Sequence, residues 1–540
     1  PARLARPDRM TLHRIWPLVG AETMRALDRH TIETLGVPGE VLMESAGRAA
    51  AQVVLEELRA AGEVLVVCGM GNNGGDGFVV ARHLHLLGVP VRLALLGESR
   101  RLRKDAAANA RRARTAGLEI GGPRWRAPRR GVIVDAIFGT GLSHPVDKAP
   151  AASVRRIAAS RGSDVRVVAL DMPSGICADT GQALGDAVRA DVTVTFGLPK
   201  IGLALEPGRE HAGRVVVARI GIVDETPTAR PDAAVWTRAA AGERMPARPP
   251  AGHKGRFGHA LVVAGSEGKT GAAALAADAA ARVGAGLVTV ACPAGVNEIL
   301  EVKCTEAMTA PLPDTAGRAL AAGAEDALVE LAAGRSAVGM GPGLGGSAET
   351  AKLVRGVALR VRAPLALDAD ALHPFAASPE LLRERAGATL LTPHPGEAAA
   401  LLGGSARELN RDRPGAARCL AERTGAVVLL KGAGTVIASP DGALLVNPNG
   451  GPALGSGGTG DVLLGMAAGL LAQGLNCFDA AALAAFWHGF AADRIAERTG
   501  PSGLLAGDLA GELPEAGRIL RAAAVAPIAG ERLALAFPEP

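Results

Sequence analysis

The chain has no tyrosine, and phenylalanine and tryptophan together bring its aromatic content to only 2% of 540 residues. This scarcity argues against a stacking platform for single-stranded nucleic acid. Hydrophobic residues make up 48% of the chain, yet no apolar run approaches the roughly 20 residues that span a bilayer. The arginine-rich start has no apolar core of a secretory signal. We therefore expect neither nucleic acid nor a membrane as a partner.

Cysteine is also scarce, since the six present are far apart and none forms a C-x-x-C pair. That spacing indicates reduced thiols in a cytoplasmic protein. The net charge is +5, and much of the excess lies in residues 100–104, 111–114 and 124–130. Such runs are more typical of solvated helix and loop faces than of a nucleic-acid patch.

The length predicts at least two domains. From residue 21 to residue 223, short β-branched runs alternate with helical patterns, which indicates a parallel α/β sheet with crossover helices. The strand candidates are Val64–Cys68, Val91–Leu95, Val132–Ala136, Val165–Leu170, Val192–Phe196 and Val215–Ile220. Residues 224–251 lose this periodicity and are predicted to be a linker, and a second α/β domain is expected over 252–540. Residues 1–20 are predicted to be a basic extension, and an alternative start at Met10 stays open.

The stretch after the first strand candidate contains the glycine spacing of a dinucleotide-binding turn, with Gly69, Gly71 and Gly74. Asp76 is expected where the next helix begins, and a carboxylate there would repel a pyrophosphate at the helix N-terminus. Two further polar loops follow strands, at residues 135–146 and 169–181. Because ligands in open parallel sheets bind at the carboxyl ends of strands, the three loops predict one shared pocket.

Within these loops, Asn73, Asp135 and Ser174 supply hard oxygen donors that suit potassium or magnesium better than zinc. Asp171 ends a strand before a Pro-Ser-Gly turn, a position suited to an acid or base. The competing interpretation is that each aspartate only caps a helix or turn.

In the second half, the densest motif is NPNGGPALGSGGTGDVLLG, residues 447–465. Backbone amides of residues 457–460 at a helix N-terminus predict an anion site, and Asp461 at its edge could accept a hydroxyl proton. Lys431, after a strand, is a candidate for a nucleotide phosphate or base. His394 also follows a strand, although a lone histidine is usually structural. Asp368 and Asp370 are predicted on alternate faces, and one of them could be merely structural.

Four strings of the first half, VVCGMGNNGGDGFVVARHL, DAIFGTGL, ALDMPSGICADTG and TFGLPKIGL, together resemble the NAD(P)H-hydrate epimerase family. The resemblance implies a Rossmann-like three-layer sandwich that interconverts the R and S hydrates formed when water adds to the nicotinamide ring. It implies that Asn73, Asp135 and Ser174 hold potassium and that Asp171 is catalytic. It implies that the hydrate contacts Asn72, Asn73, Gly74, Gly75, Asp76, Gly139, Thr140, Gly141, Leu142, Ser143, His144, Pro145 and Asp171.

The second half, with VVAGSEGKTGAA, GPGLG, LDADAL, TPHPGE, LLKGAGT and NGGPALGSGGTGDVL, resembles the ADP- or ATP-dependent NAD(P)H-hydrate dehydratase family. The resemblance implies a ribokinase-like fold in which a nucleotide with Mg²⁺ activates the hydroxyl of the S hydrate, so that elimination restores NADH or NADPH. The implied hydrate contacts are Ala264, Gly343, His394 and the catalytic Asp461. The implied nucleotide contacts are Lys431, Gly432, Ala433, Gly434, Thr435, Gly451, Pro452, Ala453, Leu454, Gly455, Ser456, Gly457, Gly458, Thr459 and Gly460.

One position departs from the family pattern, because His373 stands where asparagine is expected, and it receives no role. Two other interpretations stay open. A hydroxymethylpyrimidine-type vitamin kinase fused to a binding domain would share the Gly460-Asp461 pair, and fold analogy alone does not separate it. In the other interpretation, the first half is a non-catalytic scaffold or binding module. We also expect a homo-oligomer, of an order that the sequence leaves open.

Overall fold

The fold follows from runs of β-branched residues that become buried strands and from the helical patterns between them. The computed structural model describes residues 14–58, 62–525 and 534–537. The described chain divides into two units between Val235 and Trp236, and residues 534–537 belong to the first unit.

The first unit contains an eight-stranded sheet, in which all strands are parallel except the last strand of the chain. The strands of this sheet are β2 (Glu63–Cys68), β3 (Val91–Leu95), β4 (Ile120–Gly121), β5 (Gly131–Ala136), β6 (Val165–Leu170), β7 (Val192–Phe196), β8 (Arg214–Ala218) and β19 (Ala534–Phe537). Their order is β19-β8-β7-β6-β5-β2-β3-β4, and two further strands, β1 (Ile15–Leu18) and β9 (Ala233–Trp236), lie outside this sheet. The helices are α1 (Ala21–Glu33), α2 (Gly39–Glu57), α3 (Asn72–Leu86), α4 (Lys104–Thr115), α5 (Lys148–Ser160) and α6 (Gly208–Ala212).

The core of this unit lies on both faces of the sheet. Val64 and Val66 of β2 pack on one face with α2, α3 and α4, whereas Leu65 and Val67 pack on the other face with α5. Successive strand side chains point to opposite faces, so a continuously apolar strand requires helices on both sides. The predicted three-layer α/β sandwich is confirmed.

The second unit is also α/β. Its helices are α7 (Arg238–Glu243), α8 (Thr270–Arg282), α9 (Asn297–Lys303), α10 (Glu325–Ala333), α11 (Ala348–Arg360), α12 (Pro395–Leu402), α13 (Ala406–Leu409), α14 (Arg413–Thr424), α15 (Thr459–Ala472), α16 (Cys477–Thr499) and α17 (Ala506–Ala524). Its strands are β10 (His259–Val263), β11 (Leu287–Pro293), β12 (Met308–Leu312), β13 (Ala337–Met340), β14 (Leu365–Leu367), β15 (Thr389–Leu391), β16 (Val427–Leu430), β17 (Thr435–Ala438) and β18 (Leu444–Asn447).

The strands of the second unit follow the order β18-β17-β16-β15-β14-β13-β10-β11-β12. The strands from β16 to β12 are parallel, and β16, β17 and β18 form an antiparallel meander. Helix α15 is buried along most of its length, because its sequence is apolar on every side. The predicted α/β class is therefore confirmed for this unit as well.

The ends of the predicted domains differ from the observed units. The predicted extension over 1–20 includes β1, whose Trp16 and Leu18 are buried, while Met10 lies outside the described residues. The predicted linker over 224–251 contains the boundary between the units but also holds β9 and α7. The predicted second domain reaches residue 540, whereas β19 pairs antiparallel with β8 in the first unit. Strands of four residues are too short to show a period, and their positions depend on long-range pairing.

A membrane span was not expected from the sequence. Across residues 14–58, 62–525 and 534–537, every helix falls short of the length and apolarity that crossing a bilayer requires.

Candidate active sites

The polar loops of the first unit follow four neighbouring strands, β2, β5, β6 and β7, at their carboxyl ends. The loops after β2 and β5 are joined by the Gly69 N–H, which donates to the Ala136 carbonyl at 2.9 Å. The loops after β5 and β6 are joined by the Phe138 N–H, which donates to Ser174 Oγ at 2.9 Å. The loops thus lie side by side at adjoining strand ends, which is the arrangement that a shared pocket would need.

Asp76 does not lie where the sequence placed it. Helix α3 begins at Asn72, so residues 72–76 form its first turns, and Asp76 is only 8% exposed. Burial raises the pKa of Asp76 well above its usual range, the carboxylates of Asp171 and Asp28 raise it further, and Lys200 opposes them. Burial thus disfavours the charged form of Asp76, which weakens the predicted repulsion of a pyrophosphate.

Asp171 is held in a strained conformation by several polar contacts. Its backbone φ is +64°, a left-handed value that is uncommon for residues other than glycine. Its Oδ1 lies 2.5 Å from Lys200 Nζ, and its Oδ2 accepts the Thr140 N–H at 3.0 Å. A Cβ at Gly139 would lie 2.6 Å from Oδ2, so glycine is required for this approach. The carboxyl is thereby fixed at the strand end, as a proton-transfer group requires.

The three predicted potassium ligands have different surroundings. Asp135 and Ser174 are fully buried, and the Asp135 carboxylate accepts the Ser174 hydroxyl at 2.6 Å and the Ser174 N–H at 2.8 Å. Burial raises the pKa of Asp135 to about 6, although these hydrogen bonds and one from Ile137 oppose the rise. Asn73 is 9% exposed, and both polar atoms of its amide are buried without a hydrogen-bond partner among the described residues. An unsatisfied buried amide is costly, so its oxygen suits a bound cation.

The sequence-predicted substrate loop over 139–145 is mostly exposed. Gly141, Ser143, His144 and Pro145 are accessible, whereas Leu142 is buried in the core and can offer a ligand only its backbone.

Two residues of the first site were missed by sequence reasoning. Lys200, 1% exposed, follows β7, and its ammonium also donates to Thr195 Oγ1 at 3.0 Å and to the Phe196 carbonyl at 2.8 Å. Asp28 of α1 is coupled to the same cluster, since burial and the Asp171 charge raise its pKa. A lysine inside the apolar run GLPKIGLAL was the one local signal for Lys200. Nothing in the sequence near Asp28 indicated its role.

In the second unit, the predicted residues follow five adjacent strands, β10, β13, β14, β15 and β16. Lys431 Nζ lies 2.6 Å from Asp368 Oδ1 and 4.0 Å from Glu397 Oε2. Asp370 forms separate contacts, accepting the Gly345 N–H at 2.8 Å and pairing with a second lysine side chain. The two aspartates therefore serve different loops, in accordance with their predicted alternation.

Asp461 lies in the first turn of α15, close enough to Asp368, Asp370 and Lys431 to be electrostatically coupled to them. Burial raises its pKa to about 6, Asp368 and Asp370 raise it further, and Lys431 opposes the rise. A Cβ at Gly460 would lie 3.6 Å from Lys431 Nζ, which places the start of α15 beside the lysine. A carboxylate with this pKa is ionised at neutral pH yet is a stronger base than an exposed aspartate.

The glycine-rich loop before α15 is fixed by hydrogen bonds to its own backbone. Helix α15 begins at Thr459 after Gly458, whose φ of +92° favours glycine. The Thr459 hydroxyl lies 3.0 Å from the carbonyls of both Leu454 and Ser456. Below it, His488 Nε2 donates to the Thr459 carbonyl at 2.9 Å, and burial lowers the pKa of His488 to about 4. A neutral histidine thus holds the helix start where amides can bind an anion.

The predicted hydrate contacts of this unit lie on three loops. Ala264 is fully buried after β10, and the Gly343 carbonyl accepts the Ser266 hydroxyl at 2.7 Å. His394 caps α12, because its Nδ1 accepts the backbone N–H groups of Gly396 and Glu397 at 3.0 and 3.2 Å. Its proton is therefore on Nε2, and the side chain remains 56% exposed. His373, which departs from the family pattern, has an exposed side chain, and we assign it no role.

Arg413 is a further residue that sequence reasoning missed. It is 7% exposed, and one of its terminal nitrogens donates to the carbonyls of Leu430, Lys431 and Gly434 at 3.2 to 3.3 Å. The guanidinium therefore fixes the backbone of the loop over 431–434, which the sequence predicts as a nucleotide contact. Nothing local distinguishes this arginine, since its partners are close only in the folded chain.

Two family models match the chain. One described as YjeF-related protein N-terminus matches residues 39–202, and one described as NAD(P)H-hydrate dehydratase matches residues 260–515. Both matches fall within the two units that carry the sites described above.

Full-length relatives match as well. A bifunctional NAD(P)H-hydrate repair enzyme Nnr from Moorella thermoacetica is 42% identical over 510 residues, covering 92% of this chain and 96% of the relative. The protein of that name from Escherichia coli is 36% identical over 500 residues, covering 92% of both chains. A crystal structure of ADP/ATP-dependent NAD(P)H-hydrate dehydratase from Bacillus subtilis, co-crystallised with ATP/Mg²⁺, is 32% identical. It covers 53% of this chain and 98% of its own, with a TM-score of 0.46.

Proposed function

The chain belongs to the family of bifunctional NAD(P)H-hydrate repair enzymes, and we propose that its two units divide this repair between the two sites described above. The first unit interconverts the R and S hydrates of NADH and NADPH. The second unit dehydrates the S hydrate. The observation that carries this assignment is the presence of two separate carboxylate sites, each at the carboxyl ends of a parallel sheet, in one chain. The division is economical because epimerisation supplies the one epimer that dehydration accepts.

Epimerisation requires that the hydroxyl on a ring carbon leave and return on the other face. The lone pair of the ring nitrogen expels the hydroxyl, which leaves as water after gaining a proton, and water then adds to the opposite face and loses a proton. We assign the proton exchange to Asp171, which Thr140 and Lys200 fix at the strand end. Its carboxylate also stabilises the positive charge that the ring acquires between the two steps. Residues 72–76 and 139–145 would hold the rest of the dinucleotide.

We propose that potassium binds beside this carboxylate. The residues that would hold it are Asn73, through its unpartnered amide oxygen, the buried Asp135 carboxylate and the Ser174 hydroxyl. These are hard oxygen donors, which suit an alkali cation. When bound, potassium would supply a fixed positive charge for the dinucleotide phosphates.

In the second unit, Asp461 is the proposed base. Its carboxylate takes the proton of the hydrate hydroxyl while that oxygen attacks the terminal phosphorus of a nucleotide, and the bond from this phosphorus to the bridging oxygen breaks so that AMP leaves from ADP, or ADP from ATP. The amides of residues 457–460 at the start of α15 would stabilise the phosphate charge. Elimination of the resulting phosphate ester, with loss of a ring proton, then restores the reduced nicotinamide. Ala264, Gly343 and His394 would contact the hydrate.

The nucleotide and its metal are also proposals. ADP or ATP would bind between residues 431–435 and residues 451–460, whose backbones Arg413 and Thr459 fix. Magnesium would enter with the phosphates, whose charge it neutralises, and the carboxylates of Asp368 and Glu397 beside Lys431 are available to it.

Family membership favours hydrate repair over the vitamin-kinase interpretation, because relatives that cover 92% of this chain carry both units under the repair name. We place the enzyme in the cytoplasm, and six free cysteine thiols support that placement. We also propose a homo-oligomer, supported by exposed apolar side chains at Ile299, Val302 and Met308. Sedimentation analysis would determine its order.

The experiment that tests the assignment uses the separated hydrate epimers. With the S epimer and ADP or ATP, absorbance of reduced nicotinamide should rise at once. With the R epimer it should rise after a lag, and R should convert to an R and S mixture without any nucleotide. Failure of the S epimer to react with either nucleotide would exclude dehydration. Failure of R to convert to S would exclude epimerisation independently.

A further inference from the structure

Lys200 is a buried cation of the first unit's site, and the mechanism above uses it only as a contact of Asp171. Its side chain is 1% exposed and makes three contacts, with Asp171 Oδ1 at 2.5 Å, Thr195 Oγ1 at 3.0 Å and the Phe196 carbonyl at 2.8 Å. All three donor positions of the ammonium are thereby used. A buried ammonium is costly unless it is paired, so this arrangement has to be maintained by the surrounding fold.

The backbone around Lys200 is also fixed. The Val19 N–H donates to the Pro199 carbonyl and the Ile201 N–H donates to the Val19 carbonyl, both at 3.1 Å. These two bonds hold Lys200 from either side in an extended conformation before a short turn. The ammonium therefore has a set position relative to the end of β6, where Asp171 stands.

The carboxyl groups near this ammonium outnumber it. Asp28 on α1 and Asp76 on α3 are electrostatically coupled to Asp171, and Lys200 is the cation that acts on both. Burial raises the pKa of Asp28 and of Asp76. Of the three carboxyls, Asp171 is the one at ion-pair distance from the ammonium. Lys200 is thus paired directly with Asp171 and acts on the other two through the electrostatic field.

We propose that Lys200 is a positioning residue for epimerisation, which fixes the Asp171 carboxyl in its left-handed conformation beside the nicotinamide ring. With one carboxylate oxygen held by the ammonium and the other by the Thr140 N–H, the remaining lone pairs have a defined direction. This inference rests on the proposed epimerase function and adds to it the residue that sets the geometry of its proton-transfer group.

The test compares Lys200→Met, which keeps the length of the side chain without its charge, with Lys200→Arg, which keeps the charge. Conversion of the R hydrate is followed by chromatography of the epimers without nucleotide, so that the second unit is silent. Lys200→Met should lower kcat about 100-fold, in the range of a lost proton-transfer group, with KM for the hydrate changed less than about threefold. Lys200→Arg should recover at least part of that loss.

A chemical rescue separates a charge effect from a packing effect. In Lys200→Ala, n-propylammonium replaces the missing part of the side chain and should raise kcat, whereas 1-propanol, of equal chain length but without charge, should not. Lys148→Met serves as the matched control, because that lysine is 87% exposed on the same unit and should leave the rate unchanged. Dehydration of the S hydrate in each variant reports an intact second unit.

Three outcomes would overturn the inference. They are an unchanged kcat in Lys200→Met, equal losses in the methionine and arginine variants, and equal rescue by propanol and propylammonium. The proposed function itself is judged by the unmodified enzyme in the same assay. If that enzyme does not convert R to S, the function fails, and if it does while the variants match it, only the role of Lys200 fails.

Discussion

Replacing Asp461 by asparagine should lower the dehydration activity of the second unit and raise its stability. Asparagine keeps the size of the side chain and can hydrogen-bond, but it is far too weak a base to accept the hydroxyl proton. General-base groups contribute about 10²- to 10⁴-fold, so nucleotide-dependent dehydration should fall by that factor while epimerisation continues. In the unmodified enzyme the pKa of Asp461 is about 6. The dehydration rate of that enzyme should therefore fall about tenfold between pH 7 and pH 5, as Asp461 takes up its proton.

The Asp461 carboxyl should also lower the free energy of unfolding of the second unit. Because its pKa in the folded unit is about 6 rather than 3.8, the unfolded chain ionises first, and the folded unit is disfavoured as pH rises. The cost is absent below about pH 4, grows through about pH 6 and is complete above it. The full rise corresponds to about 3 kcal/mol, and partial solvent exposure reduces it, so we expect Asp461→Asn to stabilise the unit by about 1 to 3 kcal/mol at pH 7.

The assay follows absorbance of reduced nicotinamide from the S hydrate, and nucleotide binding is measured by calorimetry. Thermal unfolding without ligand gives stability, and the transition of the second unit is identified by its shift when nucleotide is added. Asp326→Asn is the control, since that carboxyl is 89% exposed and belongs to neither proposed site. Near-normal turnover in Asp461→Asn would refute its role as base. Lower stability at pH 7 would refute the argument from burial.

The remaining predictions concern three other contacts. Asn73→Ala removes an amide without hydrogen-bond partners, so the fold should persist, while the potassium concentration for half-maximal epimerisation rises at least about tenfold; an unchanged potassium titration contradicts this ligand. Arg413→Lys replaces a planar guanidinium, which reaches the carbonyls of Leu430, Lys431 and Gly434, by a differently placed point charge, so KM for the nucleotide should rise about tenfold with kcat less affected, as initial rates at varied nucleotide will show. Phe537→Ala removes a buried ring that packs edge-on against Trp16, with centroids 5.7 Å apart. It should destabilise the first unit by about 3 kcal/mol and shorten the thermal half-life of epimerisation but not of dehydration.

Much of the sheet in the first unit could be predicted because its strands are continuous apolar runs. The bounds of Val91–Leu95, Val165–Leu170 and Val192–Phe196 are those observed, since burial on both faces leaves a strong compositional signal. Strands β1, β9 and β19 were not predicted. Each has four residues, and β19 is in place because it pairs with β8, more than 300 positions earlier in the chain. No local pattern records such a partner.

The sequence predicted those site residues whose chemistry can be inferred from the residue type within a local motif. Asp171 and Asp461 stand in motifs whose glycines and neighbours are close in sequence. Lys200 and Arg413 were missed because their importance arises only when burial brings them to a carboxylate or to loop carbonyls. Asp76 was identified by its motif, but its burial inside α3, which disfavours its charged form, was not predicted.

The charge of an acid at a helix start depends on which of two opposing effects is larger. A helix N-terminus favours a carboxylate by about 0.3 to 1 kcal/mol, an effect that is confined to the first turn and would lower the pKa of Asp461 in α15. Yet the pKa of Asp461 is raised to about 6, which corresponds to about 3 kcal/mol in the opposite direction. Burial among other carboxylates therefore outweighs the helix by roughly threefold or more. Asp76, further along α3, also has a pKa raised by burial and by neighbouring carboxylates. A sequence shows the helix start and the aspartate but not the burial, so it does not give the direction in which the pKa of such a group is shifted. Both activities should then respond to pH through the groups that the fold buries, rather than through those that the motif places at a helix end.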